Sequence, residues 1–260
     1  MFKLIVDSIK RVRRQYVLST VEHNAIPFVL RESKALVIAP HPDDETLACG
    51  GLIALKKHLG ATVHVLFLSR GEGAHRNCCT TSEQTIGDVR QRLAADACTH
   101  LGLQIGDLLW CDFPDGAIPG KADPLFAEAA SRLSKIFTDC MPMEIYTPHP
   151  QDCWPDHQRA TELVLDAAAL AQCTIEMYFY PVWMWHNLRL RDLGQLKGWQ
   201  GLRLDIRPVR EKKQAAIRQF LYATNPSCGV PFCGNLPSGF LNPFQKDYEI
   251  FFQQREGGRP

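Results

Sequence analysis

The sequence predicts an α/β fold: a single-domain three-layer sandwich with a mainly parallel sheet and helices on both faces. Three observations carry that expectation. Short apolar runs alternate with longer stretches of helical periodicity from about residue 35 to 180, the pattern of βαβ units. A chain of 260 residues, 45% hydrophobic and 22% charged, suits one large core. No internal repeat, low-complexity tract or convincing linker divides it, so 1–260 is read as one domain: an N-terminal helix and linker (1–30), a core (35–185) and a C-terminal wrap (186–260).

Element by element, residues 1–21 read as a helix with Phe2, Ile5, Ile9, Val12 and Tyr16 at roughly helical spacing. The run Ala35–Ala39 is a buried strand. A helix from about Glu45 to Leu59 stops at Gly60, a common C-terminal residue. The strand Thr62–Leu68 feeds a loop with Arg70, Gly71, Glu72 and Gly73. A helix from about Ile86 to Leu101 precedes a strand near Leu108–Cys111, and Phe113-Pro114-Asp115-Gly116 makes a turn. A helix over about 124–138, a strand at Glu144–Thr147, a helix from about Asp156 to Ala171 and a strand at Ile175–Tyr180 follow. The tail after about Ala223, rich in Gly, Pro, Asn and Phe, reads as an ordered wrap with little regular structure.

Composition excludes several classes. A formal net charge of +1 gives no global footprint for nucleic acid or an anionic membrane. The cluster Lys10-Arg11-Val12-Arg13-Arg14 reads as a solvated helix face. No apolar run is long enough to span a bilayer, and charge interrupts the apolar N-terminus, unlike a secretory signal. These features point to a soluble, cytoplasmic chain and leave peripheral membrane contact open. The ten cysteines form no C-x-x-C pair, which argues against a zinc ribbon or a disulfide framework and for reduced thiols. Cys228 and Cys233, in a Gly/Pro-rich loop, fit the role of simple buried thiols least well.

The chemistry concentrates in His41-Pro42-Asp43-Asp44-Glu45, directly after the strand Ala35–Ala39. Buried carboxylates are costly without a compensating partner. His41 and Asp44, three apart across a strand-to-helix turn, can reach one point, with Asp43 facing the same cavity. Imidazole plus carboxylate with an open position for water is a common way to hold catalytic zinc. Open α/β sheets bind ligands at the carboxyl ends of their strands, where the loops carrying Arg70 to Arg76 and His149 to His157 also lie. A third ligand is therefore expected there. His157, at a second strand-to-helix junction in Trp154-Pro155-Asp156-His157, is the best candidate, with His149, His75 and His186 behind it. His23, His58, His64 and His100 read as structural.

The segment Ala39-Pro40-His41-Pro42-Asp43-Asp44-Glu45-Thr46-Leu47 with Gly50-Gly51, then Ser69-Arg70-Gly71-Glu72-Gly73, then Pro155-Asp156-His157, resembles the LmbE-like (PIG-L) family of zinc-dependent N-acetyl-sugar deacetylases. The matching order covers roughly residues 35–185, and the first motif is the specific one. The resemblance implies a Rossmann-like sandwich, Zn2+ (or Fe2+ or another divalent metal) on His41, Asp44 and His157, and Asp43 as general base. It implies an N-acetylglucosamine-like substrate in a glycoconjugate, polysaccharide precursor or antibiotic intermediate. Two departures stand out: Trp154 replaces the histidine that commonly precedes Pro-Asp-His and is taken to stabilise the tetrahedral intermediate, and Leu93 stands where relatives often carry an acid.

Arg70, Glu72 and Arg76 are candidates for contacting substrate hydroxyls or a phosphate, or for forming a salt-bridged loop. His149 and His186 are candidates to replace the missing oxyanion donor. Trp154, Trp183 and Trp185 are candidates to stack on a sugar ring, while Asp115 reads mainly as a turn residue. The rival functions are a metal-containing saccharide-binding protein of weak catalysis and a zinc amidase acting on a non-sugar N-acyl substrate. A dinucleotide-binding oxidoreductase is disfavoured, since no Gly-x-Gly-x-x-Gly follows the first strand.

Overall fold

The computed structural model describes residues 2–255, and side chains from residue 12 onward. Its elements in chain order are α1 (Phe2–Asn24), β1 (Ile26–Pro27), β2 (Ala35–Ala39), α2 (Asp44–His58), β3 (Val63–Phe67), α3 (Glu83–His100), β4 (Leu108–Trp110), α4 (Phe126–Cys140), β5 (Glu144–Pro148), α5 (Pro155–Ala171), β6 (Glu176–Tyr180), α6 (Met184–Asn187), β7 (Trp199–Asp205), α7 (Arg210–Tyr222) and β8 (Tyr248–Gln254).

One eight-stranded sheet runs in the order β1-β7-β8-β6-β5-β2-β3-β4. Its pairings are parallel except at β8, which lies antiparallel between β6 and β7. Strand β2 is buried at every position, as a central parallel strand covered on both faces must be. Its side chains alternate between two cores: Ala35, Val37 and Ala39 meet residues of α2, α3 and α7, while Leu36 and Ile38 meet residues of α4 and α5. That alternation is the three-layer sandwich.

The elements from 35 to 180 lie within a few residues of their expected bounds. The tail after Ala223 is largely irregular, as expected, until β8, which departs from expectation as an interior strand of the sheet. Strand β7 and helix α7 are regular elements in a stretch for which the sequence predicts none. In α1 the buried positions are Val17 and Val21, whereas Val12 and Tyr16 are 67% and 58% exposed; Phe2, Ile5 and Ile9 lie outside the described side chains. Within the basic cluster, Arg13 and Arg14 also differ from a free solvated face, while Lys10 and Arg11 lie outside the described side chains. Arg13 donates to the His186 carbonyl at 2.6 Å, and Arg14 reaches the Ser238 carbonyl and His186 Nε2, so these two residues tie α1 to the later chain.

Candidate active site

The site forms where β2 and β5 end side by side. Strand β2 runs into Pro40, and the chain turns through residues 41–43 into α2, whose first turn carries Asp44 and Glu45. Acids suit a helix N-terminus, where unpaired backbone N–H groups and the helix dipole favour negative charge. Asp44 Oδ2 accepts the His41 backbone N–H at 3.0 Å, and Glu45 Oε2 accepts that of Asp43 at 2.9 Å. Strand β5 likewise leads through residues 149–154 into α5, whose first turn carries Asp156 and His157 behind the N-terminal Pro155.

The two turns bring His41, Asp44 and His157 together, with ligand-type atoms of all three within 4.8 Å of one another. Asp44 Oδ2 lies 3.4 Å from His41 Nδ1 and 3.3 Å from His157 Nε2. Each imidazole presents one nitrogen to this point and gives the other to carboxylates. His157 Nδ1 meets Asp152 Oδ2 at 2.7 Å. His41 Nε2 meets Asp115 Oδ1 at 3.1 Å and Asp156 Oδ2 at 3.2 Å. This carboxylate–histidine pattern orients imidazoles that ligate a metal. Asp152 is itself fixed, accepting backbone N–H groups from Val182, Trp183 and Met184 at 2.7–3.0 Å.

The donors fit a divalent cation. His157 Nε2 is buried, makes no hydrogen bond and faces the Asp44 carboxylate, and buried polar atoms normally find partners. Asp44 and His157 are closed off, at 3% and 0% side-chain exposure, whereas His41 and Asp43 keep 12% and 14%. The cluster therefore opens toward solvent on the His41–Asp43 side.

Charge in this enclosure is strongly organised. Burial, opposed by Arg90 and reinforced by the Asp44 charge, pushes the Asp43 carboxyl up to about 7. Despite burial, the imidazoles of His157 and His41 hold Asp44 well below the usual carboxylate range. Burial works against a charge on His157, yet the Asp44 and Asp152 carboxylates raise it to about 9. His41 is likewise held well above the ordinary histidine value by Asp115, Asp156 and Asp44, against its burial. Burial lifts Glu45 to about 8.

The other candidates fall elsewhere. Arg70 pairs with Asp112 at 2.7 Å and Asp88 at 3.3 Å, and Arg76 pairs with Glu83 at 2.7 Å. Glu72 Oε1 accepts the Asp115 backbone N–H at 2.8 Å. Arg70 and Arg76 are thus engaged in ion pairs, and Glu72 in a backbone hydrogen bond, on the loop beside the cluster. His149 is fully buried, packed against Trp199 and Phe252 with ring centroids 4.4 and 4.8 Å away, which removes it from any ligand-facing surface. Trp185, a candidate to stack on a sugar ring, is instead buried in the core at 7%. Trp154 is 38% exposed and stacks on half-buried Trp183, with centroids 4.4 Å apart and planes at 15°.

Sequence reasoning misses Arg90 and the Asp152–Asp156 support as site residues, and it takes Asp115 only as a turn. Arg90 is 3% exposed; it donates to the carbonyls of Pro42 (2.6 Å) and Phe232 (2.9 Å) and lies 3.4 Å from Asp43 Oδ2. A signal for it exists: an arginine at a core-facing position of α3, in register with Ile86, Ala94 and Ala97.

Comparison with known proteins bears on this geometry. The family model described as PIG-L: GlcNAc-PI de-N-acetylase matches residues 36–168. The 1D-myo-inositol 2-acetamido-2-deoxy-alpha-D-glucopyranoside deacetylase of Rhodococcus opacus (strain B4) is 40% identical over 172 residues, 55% of each chain. That of Mycobacterium sp. (strain KMS) is 28% identical over 176 residues, 57% of this chain and 54% of the relative. The chain spans about half the length of the curated relatives it matches.

Among solved structures, the conserved protein TT1542 from Thermus thermophilus matches with a TM-score of 0.54 at 27% identity, over 72% of this chain and 78% of that one. The N,N'-diacetylchitobiose deacetylase from Pyrococcus horikoshii (TM-score 0.56, 19% identity, 82% of this chain and 77% of that one) shares the fold. So does the 4-carboxy-2-hydroxymuconate hydratase of Pseudomonas putida KT2440 (TM-score 0.58, 24% identity, 72% and 78%). The fold alone thus does not set the reaction. With just over half of its residues matched by the family model, in the stretch that builds the His41–Asp44–His157 cluster, the chain belongs to the PIG-L family.

Proposed function

We infer that this protein is a metal-dependent hydrolase that removes the acetyl group from an N-acetylglucosamine-like moiety, with zinc as its metal. The observation that carries the reading is the arrangement of two oriented imidazoles on Asp44, with a second carboxyl, Asp43, held near neutrality beside them. The names of the Rhodococcus and Mycobacterium relatives, both deacetylases of an acetamido sugar, support it.

His41, Asp44 and His157 would hold the cation. When bound, a divalent cation supplies Lewis acidity toward water and the amide carbonyl, lowering the pKa of water toward ~7. Asp43 accepts the proton of the attacking water as the new C–O bond forms on the acetyl carbon. It then returns that proton to the amine as the C–N bond breaks, leaving acetate and a free amino sugar. A carboxyl poised at about 7 suits both halves of that exchange, since acid–base catalysis is most efficient with a pKa near the working pH. Arg90 holds the turn carrying Asp43 through the Pro42 carbonyl.

Trp154 and Trp183 give a stacked, partly open aromatic face beside α5, suited to the apolar face of a sugar ring. We assign them to substrate contact, and Arg70, Glu72 and Arg76 to shaping the loop. With His149 buried and His186 engaged by Arg14, neither is assigned as the oxyanion donor.

The test is acetate release from N-acetylglucosaminyl substrates by zinc-loaded protein, for wild type, Asp43→Asn and His157→Ala. Asp43→Asn should lower turnover by about 10²–10⁴-fold with metal content unchanged, and His157→Ala should lose the metal. Full activity in Asp43→Asn would overturn the base assignment. Saccharide binding by the wild type without acetate release would replace the enzyme reading with that of a binding protein.

A further inference from the structure

A second cluster of metal-ligand type lies outside the candidate active site. His75, Cys78, Cys79 and Cys228 place one nitrogen and three sulfurs within 4.8 Å of one another. His75 ends the short 3₁₀ turn Glu72–His75 after β3, Cys78 and Cys79 follow within four residues, and Cys228 comes from the segment between α7 and β8. The sequence separation of about 150 residues hides this set from a search for paired C-x-x-C motifs.

The spacings are close to those of ligands around one small tetrahedral ion, with the nitrogen–sulfur separations slightly short of ideal. His75 Nδ1 lies 3.2 Å from Cys78 Sγ and 3.4 Å from Cys228 Sγ, and the Cys78 and Cys228 sulfurs are 3.7 Å apart. With Zn–S of about 2.3 Å and Zn–N of about 2.0–2.1 Å, tetrahedral ligands stand about 3.5–3.8 Å apart. A disulfide needs sulfurs about 2.0 Å apart, and all ten cysteines are free thiols.

The histidine is prepared for the role. His75 is 2% exposed, and its Nε2 lies 3.0 Å from the Pro231 carbonyl oxygen. A carbonyl can only accept, so Nε2 carries the proton and Nδ1 presents its lone pair to the three sulfurs. A backbone carbonyl behind a ligating histidine is the usual device for fixing its tautomer and orientation.

The Cys228 segment is also built before any ion arrives. The Asn225 backbone pairs with Val230 and Gly229, its side-chain oxygen accepts from the Ser227 backbone N–H and the Thr81 hydroxyl, and Thr81 also meets Ser227. The two chain segments are thus laced together on either side of the sulfurs.

We propose that His75, Cys78, Cys79 and Cys228 form a structural Cys₃His zinc site that pins the segment before β8 to the loop after β3. Four protein ligands close the coordination sphere and leave no position for water, the mark of a structural rather than a catalytic zinc.

The pin braces the active site from two sides. On one, the turn that ends in His75 donates the Gly73 N–H to Asp115 Oδ2 at 2.9 Å, and Asp115 Oδ1 contacts His41. On the other, Phe232, the residue after the carbonyl that holds His75, accepts from Arg90, which in turn holds Pro42.

Metal content and the cobalt(II) spectrum of the full chain, purified under reducing conditions, test the proposal independently of any deacetylase activity. We expect two zinc ions per chain in the wild type. His157→Ala and Cys228→Ser should each remove one, and the double variant both. Cobalt(II)-substituted wild type should show thiolate-to-cobalt charge-transfer absorption in the near ultraviolet, retained in His157→Ala and lost in Cys228→Ser. The wild-type spectrum decides the matter even if Cys228→Ser fails to fold. A single zinc lost with His157→Ala, no thiolate band in the wild type, or a Cys78–Cys228 disulfide found by mass spectrometry of the anaerobically purified protein would each overturn the site.

Discussion

Asp43 adopts φ 123° and ψ −27°, a conformation that L-residues other than glycine avoid because the Cβ crowds the backbone. The surrounding contacts impose it: the Asp43 carbonyl starts α2 by accepting from Thr46 and Leu47, and its N–H is bound by Glu45. Such strain costs about 1–3 kcal/mol and tends to be retained at functional positions. Asp43→Gly should therefore raise the stability of the metal-free protein by about that amount while abolishing turnover, as read by denaturant unfolding beside an acetate assay. Unchanged or reduced stability would show that the backbone there is relaxed. Asp43 is legible as a candidate chemical residue from its position after a buried strand. Its strain is not, because φ depends on how the β2 end and the start of α2 are joined.

Helix α2 shows why Gly50 and Gly51 accompany the first motif. A Cβ on Gly51 would stand 2.4 Å from Ile206 Cγ2 and 2.7 Å from Ile206 Cβ, and one on Gly50 would stand 3.1 Å from Lys213 Cγ. The two glycines let α7 and β8 approach the helix that presents Asp44. Glu249 of β8 exploits the approach, accepting the Gly51 and Leu52 N–H groups and pairing with buried Lys213 at 2.7 Å. Gly51→Ala should destabilise the protein by about 1–3 kcal/mol through overpacking; a wild-type unfolding midpoint would sink this account.

The same packing explains which elements the sequence conceals. In α7 the buried stripe is Lys213, Ala216, Ile217 and Phe220, and a lysine at its head disguises the apolar period. Lys213 reads as core only once Glu249, 36 residues later, is seen beside it. By contrast β2 and β3 are legible because central parallel strands are largely apolar, and β5 because Ile145, Tyr146 and Thr147 are strand-prone residues. His41, Asp44 and His157 can be placed because each sits in the loop, or the first turn of the helix, that follows such a strand. The His75–Cys228 cluster depends on a contact across the whole fold, and no local spacing announces it.

At the scale of the molecule, buried ionisable groups set how the fold meets acid. Burial among aromatic rings lowers His149 from 6.5 to about 3, and its Nε2 has no hydrogen-bond partner. Above pH 6.5 the residue is neutral in both folded and unfolded chains, so it imposes no penalty. Below that, the unfolded chain binds a proton that the folded one refuses, and stability falls by about 1.4 kcal/mol per pH unit until about pH 3. His149→Asn keeps an acceptor for the Gln151 N–H that His149 Nδ1 now takes and cannot titrate. It should flatten the acid limb of a stability-versus-pH curve measured by denaturant unfolding, and an unchanged slope would assign the acid sensitivity to other groups.

The place of β8 in the sheet governs the order in which the molecule can be completed. Strands β1 and β7 join the other five only through β8, which is the last element of the described chain. During synthesis on the ribosome, the sheet therefore remains in two pieces, with the edges of β6 and β7 unpaired, until Tyr248–Gln254 emerges. Bare edges of this kind invite pairing with other chains. The candidate active-site residues have all been synthesised by then, but the Glu249 carboxylate that braces α2 arrives only with that last strand.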